Sequence, residues 1–195
     1  MLTIGYGWPG EIMGIWIAAA VCALLVIYLA WIYNGLVTLR NRVSNGWAQI
    51  DVQLKRRHDL IPNLVESVKG YMTHERGIID EIARARSQAI AAGSNVEARA
   101  TAENTLGRSL RSFIVQAEAI PQLRASENMA SLQEELSSTE NRIAFARQYY
   151  NDSVMQYNTA IETVPRNVFA GMFGFAAKTL FEADEGDRAP VAVRF

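Results

Sequence analysis

The sequence has one cysteine, Cys22, and two histidines, His58 and His74. A lone cysteine excludes a disulfide framework and a thiolate metal site within the chain. The histidines lack the His-Glu-x-x-His spacing that sets two zinc ligands on one helical face, although His74 is followed by Glu75. Strand signals are missing too. The β-branched residues are scattered, and Asn45-Gly46 sits inside a helical pattern instead of between alternating runs. No glycine-rich phosphate loop is present: Gly5, Gly7 and Gly10 precede the long apolar run, and Gly171 and Gly174 follow no strand. Ser109, Ser112, Ser126 and Thr139 have no partners in a triad pattern, and Asp59, Glu66, Asp80 and Glu81 read as solvated acids on helix surfaces. The sequence therefore offers no catalytic set, no metal or cofactor site and no small-molecule substrate site, and reads as a non-enzyme.

Charge is the most telling absence. From Ile12 to Leu39 there is no Asp, Glu, Lys, Arg or His, and none of the 19 Lys and Arg residues precedes Arg40. A mostly apolar run of this length reads as a transmembrane helix. Ile12 to Tyr33 would rise about 33 Å, enough to cross a hydrocarbon core of roughly 30 Å once. Trp8 and Trp16 at one end, and Trp31 and Tyr33 at the other, suit the headgroup boundary. The bias of Arg40, Arg42, Lys55, Arg56 and Arg57 to the late side places the C-terminal part inside, in the cytoplasm. A cleaved signal peptide would need a basic n-region, and Ala19-Ala20-Val21-Cys22 lacks the small residue that lipoprotein processing takes just before its cysteine. The expected organisation is a single-pass chain. Residues 1–11 lie outside, 12–33 span, 34–165 form a cytoplasmic helical bundle, and 166–195 form an aromatic-rich tail.

Residues 34–57 carry a net charge of +4 and residues 58–195 a net −4. Cations at the base of the domain suit an anionic leaflet, at roughly 1 kcal/mol each. Nucleic-acid binding would ask for a basic face over the whole domain.

Past the span the periodicity is helical. Leu36, Leu39, Val43, Trp47, Ile50, Leu54, Ile61, Leu64, Val65, Val68 and Met72 recur at intervals of three and four, with one gap near His58 and no turn cluster separating them from the span. One rod is expected, with Gly35 and Gly46 as soft points and Pro62 as a kink or restart. A second helix is predicted over Gly77–Ala92, a third over Val96–Ala119 stopped by Pro121, and a last one from Ser126 to just before Pro165. The fold class is all-α: a membrane helix continuing into a long antiparallel bundle of about four helices, coiled-coil-like in its packing.

The residues Tyr33-Asn34, Leu36-Val37, Leu39-Arg40-Asn41, Trp47, Ile50 to Arg57, Asp59 to Val65, Val68 to Tyr71 and His74-Glu75 resemble the signature of the LemA family. Later segments agree in order, among them Leu132-Gln133, Glu135-Leu136, Thr139-Glu140-Asn141, Tyr150-Asn151, Tyr157-Asn158, Pro165 and Gly174-Phe175. Gly46 departs from the family's usual Ala before the Trp, and Met129 from a common Phe. The resemblance implies a bacterial inner-membrane protein with one N-terminal span and a cytoplasmic helical bundle. It also implies a neighbour: membrane metalloproteases of the HtpX type, and through them envelope quality control.

Several residues point to assembly. Gly10, Gly14, Ala18 and Cys22 are spaced by four, so small side chains align on one ridge where a second span could approach closely. Lys55-Arg56-Arg57 is either a solvated face or a seam for another subunit's carboxylates. Tyr150 and Tyr157, each followed by Asn, are seven residues apart on one face. They serve either as buried rings with satisfied hydroxyls or as an inter-subunit ladder. Phe169, Phe173, Phe175 and Phe181 crowd the tail ahead of the acids Glu182, Asp184, Glu185 and Asp187. Such density asks for burial on the bundle, on a membrane or on a neighbouring subunit. Arg166 and Lys178 are few basic residues for a membrane contact, which favours the neighbour. The expected partners are membrane lipid, other copies of the chain in a homo-oligomer, and a membrane protease.

Overall fold

A computed structural model describes residues 9–72 and 76–182, with side chains from residue 13 onward. His74 and Glu75, and the acids beyond Glu182, lie outside the described residues. The described residues form six helices and no strand: α1 (Pro9–Val68), α2 (Arg76–Ala91), α3 (Val96–Glu118), α4 (Pro121–Arg124), α5 (Glu127–Glu162) and α6 (Arg166–Met172).

α1 is 60 residues long, about 90 Å, and its first part is long and apolar enough to cross a membrane. Ile15, Ile17, Leu24 and Val26 are all largely exposed, and burial begins at Ile32. Protein packing thus starts where the apolar run ends.

Beyond that point α5 runs antiparallel along α1. Trp47 meets Tyr150 with ring centroids 5.7 Å apart, and ten residues further along α1 Arg57 meets Glu140. Gly46 marks the closest approach of the two helices. A Cβ there would stand 3.0 Å from Tyr150 Cα, which accounts for the glycine. α2 and α3 form a helical hairpin closed by Gly93, whose φ of +61° is the left-handed geometry that glycine adopts freely. The expected N-cap of α5 is present, and α3 has one that was not expected. The Ser126 side chain accepts from Met129 N, and Asn95 Oδ1 accepts from Ala98 N at 2.9 Å.

Pro62 does not restart α1; the helix runs through it. A proline leaves the carbonyl four residues earlier without its helical donor. That carbonyl belongs to His58, and Arg86 Nε of α2 donates to it at 2.9 Å. The break in the ladder is thus converted into a bond between helices. α4 and α6 were not expected. Each follows a proline that reads as a stop, and in both cases the proline opens the next short helix, as the first residue of α4 and the N-cap of α6.

Replacing Arg86 with Met should leave the His58 carbonyl unpaired and lower stability by about 1–3 kcal/mol. Pro62→Ala restores a backbone donor, so the double variant should lose less than the sum of the two single changes. Urea unfolding in mild detergent, followed by circular dichroism, reads this; strict additivity would show that the carbonyl has another partner.

Candidate functional site

The bundle core falls into two apolar halves. The membrane-proximal half holds Leu36, Val43, Ile50 and Leu54 of α1 with Ala100 of α3 and Ile143, Tyr150, Val154 and Tyr157 of α5. The distal half holds Leu60, Ile61, Leu64 and Val68 with α2, with Leu106, Leu110 and Phe113 of α3, and with Leu136 of α5. On each long helix one polar step separates the halves: Arg57-His58 on α1, Glu103 on α3, Thr139-Glu140 on α5.

These groups form a buried ionic layer. Arg57 is 1% exposed and Glu103 0%. Arg57 Nη2 donates to Glu103 Oε2 at 2.5 Å and Nη1 to Glu140 Oε2 at 2.7 Å. His58 Nε2 lies 3.0 Å from Glu103 Oε1. Arg99 reaches the same carboxylate through Nε at 3.3 Å, and also Asp51 at 2.9 Å and the Gly93 carbonyl at 2.9 Å. Burial alone pushes the Glu103 carboxyl up. The His58 hydrogen bond and the Arg57 charge outweigh it, and the group ends below its ordinary value of 4.5. Every carboxylate here is engaged by a guanidinium, and the contacts tie α1, α3 and α5 together. The layer is a device for holding three helices in register.

The cationic triplet thus divides. Arg57 turns inward, Lys55 pairs with Asp59 on its own helix at 2.7 Å, and Arg56 faces Glu135 of α5 at 3.7 Å. In each case the carboxylate belongs to the same chain. Glu103 and Arg99 carry no expectation from the sequence, and Glu140 enters there only through the family resemblance, although Glu103 sits in step with Ala100, Leu106 and Leu110 on the buried stripe of α3.

The tail forms a second constellation. After α6 the chain turns at Gly174, and residues 175–182 run as a strap back along the groove between α1 and α5. Phe175 lies 5.8 Å from the Tyr33 ring and under Arg40 at 5.3 Å; Phe181 packs on Trp47 at 6.1 Å with Arg147 stacked at 4.9 Å. Two asparagines clamp the strap backbone. Asn158 accepts from Lys178 N and donates to Lys178 O, both at 2.9 Å. Asn151 accepts from Phe181 N at 2.8 Å and donates to Phe181 O at 3.0 Å. Tyr150 Oη donates to Thr179 O at 2.9 Å, and Asn104 of α3 donates to Glu182 O at 3.2 Å. The register is geometric. Seven helical residues from Asn151 to Asn158 rise about 10.5 Å, and three extended residues from Lys178 to Phe181 cover about 10 Å.

The Tyr-Asn pairs therefore act inside one chain. Tyr150 and Tyr157 are buried, which raises both phenols. Phe175 and Phe181 are buried on the chain's own bundle and offer no free surface to a neighbour, whereas Phe173 is exposed and Phe169 half-buried. Gly14, Ala18 and Cys22 lie open on the apolar part of α1, with nothing within 4 Å of a Cβ built on Gly14. Gly10 falls in α1 where side-chain surroundings are not described.

The LemA family matches residues 46–195. The chain belongs to the LemA family. It is similar to the protein LemA of Metamycoplasma hominis, 26% identical over 81% of this chain and 72% of the relative. It is also similar to the magnetosome protein MamQ of Magnetospirillum gryphiswaldense, 23% identical over 82% of this chain and 68% of the relative. A MamQ protein of Paramagnetospirillum magneticum matches at 22% over the same shares. The ionic layer and both clamp asparagines fall within the span matched by the LemA family.

Two expectations follow. Glu103→Gln leaves Arg57 buried with a weaker partner and should cost about 3–5 kcal/mol near neutral pH. Because the folded carboxyl titrates below its unfolded value, its stabilisation is complete above about pH 4.5 and is lost as pH falls through the depressed value. Thermal unfolding against pH should therefore be flatter in this acid range for the variant than for the parent. Asn151→Ala with Asn158→Ala should free the strap, seen as faster hydrogen exchange at the Lys178 and Phe181 amides while the α3 amides are unchanged.

Proposed function

We propose that this protein is a non-enzymatic, membrane-anchored scaffold that assembles side by side with copies of itself at the cytoplasmic face of a bacterial inner membrane, in envelope maintenance. The observation that carries this reading is the unbroken α1, which joins a membrane-crossing segment rigidly to the bundle. Every copy then stands at the same depth and tilt, so equivalent lateral faces meet at equal height.

One lateral face is suited to that contact. Val52, Phe145 and Tyr149 are 62%, 73% and 42% exposed on adjacent turns of α1 and α5. They flank a groove of 630 Å³, also lined by Gln53, whose Oε1 is buried without a hydrogen-bond partner. Exposed aromatics beside an unsatisfied acceptor fit a protein surface better than water. The open ridge of Gly14, Ala18 and Cys22 would let spans close up beneath it. The lack of positive residues before Arg40 supports the cytoplasmic orientation.

Native mass spectrometry of the full chain released from detergent should show a multiple of the chain mass, and Phe145→Glu should reduce it. A single-copy particle for the parent protein would overturn the reading. A fixed ratio with a membrane metalloprotease would replace it with that of an adaptor for the protease.

A further inference from the structure

α6 is held at one depth along α1. The Phe173 ring meets Tyr33 at 5.2 Å, and the Arg166 guanidinium lies 5.8 Å from the centre of the Trp31 ring. Trp31 and Tyr33 are the last aromatics of the apolar run, where a span leaves the hydrocarbon core. On its inner side α6 buries Ala170. On its outer side Val168 and Met172, spaced by one helical turn, are 59% and 74% exposed, with Val164 and Phe173 beside them at 77% and 54%. Phe173 has one edge on Tyr33, while Val164, Val168 and Met172 are mostly open, and water is a poor environment for them.

The charge around them is mainly positive. Residues 163–181 contain Arg166 and Lys178 and no acid, and residues 34–50 contain Arg40 and Arg42 and no acid; Glu162 ends α5 beside them. Counted over residues 163–181 alone, two cations are few for a membrane contact. The fold adds α1's Arg40, seated over Phe175 next to Phe173, and Arg42 one half-turn further on, to the same membrane-proximal end of the bundle.

We propose that α6 is an interfacial foot: its Val164, Val168, Met172 and Phe173 face enters the headgroup layer of the bilayer crossed by α1, with Arg40, Arg42, Arg166 and Lys178 on anionic lipid phosphates. Apolar side chains that dip beneath a ring of cations are the usual composition of such surface helices. The foot fixes how far the bundle stands from the bilayer, and the strap carries that position up to Trp47 and α3.

The test uses the full chain with Cys22→Ala, reconstituted in phosphatidylglycerol-containing vesicles. An environment-sensitive fluorophore is placed at Val168→Cys or at Met172→Cys, with Val115→Cys on distant α3 as reference. Lipids brominated near the headgroup should quench both foot labels several-fold more than the reference, and aqueous iodide several-fold less. Two foot positions guard against one label disturbing the helix. Iodide access equal to the reference would overturn the proposal. So would shielding from iodide without quenching by brominated lipid, since that pattern means another protein covers the face. Neither outcome depends on the oligomeric state.

Discussion

Arg57 is a full positive charge with almost no access to water, and its neighbours in the bundle are arranged around that fact. An isolated guanidinium in an apolar core is strongly unfavourable, so the carboxylates of Glu103 and Glu140 have to lie at its level on the two helices packed beside it. That requirement sets the axial register of α1, α3 and α5 together. A slip by one turn would carry Glu103 into leucines and leave Arg57 facing methyl groups, so neighbouring alignments are closed off. The apolar stripes on either side specify which faces meet; the ionic layer specifies at what height.

The same height rule passes through the strap. Its asparagine clamps accept one spacing, because helix and extended chain rise at different rates and coincide at seven residues against three. Once Lys178 is seated on Asn158, Phe181 arrives opposite Asn151 and beside Trp47 without adjustment. The aromatic and cation contacts with Arg40 and Arg147 then bury the rings whose hydrophobicity first drew attention to the tail. Membrane exit, bundle and tail are registered on a single helix.

Much of the architecture was legible in the sequence because it rests on long periodic signals. The charge gap gave the apolar segment, intervals of three and four gave the four longer helices, and Ser126 marked the start of the last. α4 and α6 escaped because four and seven residues are too few to show a period, and their prolines read as ends when they were beginnings. Arg57 was noticed, but its fate could not be read locally. Whether a cation turns inward depends on carboxylates far along the chain, and Glu103 was hidden by a stripe scanned for apolar residues alone. The asparagines were visible as a repeat, and their clamp was not, since an amide that pairs with backbone leaves no mark on the segment it holds.

The strap also has a place in time. It follows α1, α3 and α5 in the chain, so it is synthesised after every helix that forms its groove. Its groove requires α1 and α5 side by side, and its last bond, from Asn104 to Glu182, requires α3 in position as well. Phe175 and Phe181 therefore reach a site that already exists, and their exposed interval in the cell is short. Without the strap the groove would present Trp47 along its wall, so docking of Phe181 is what covers that ring.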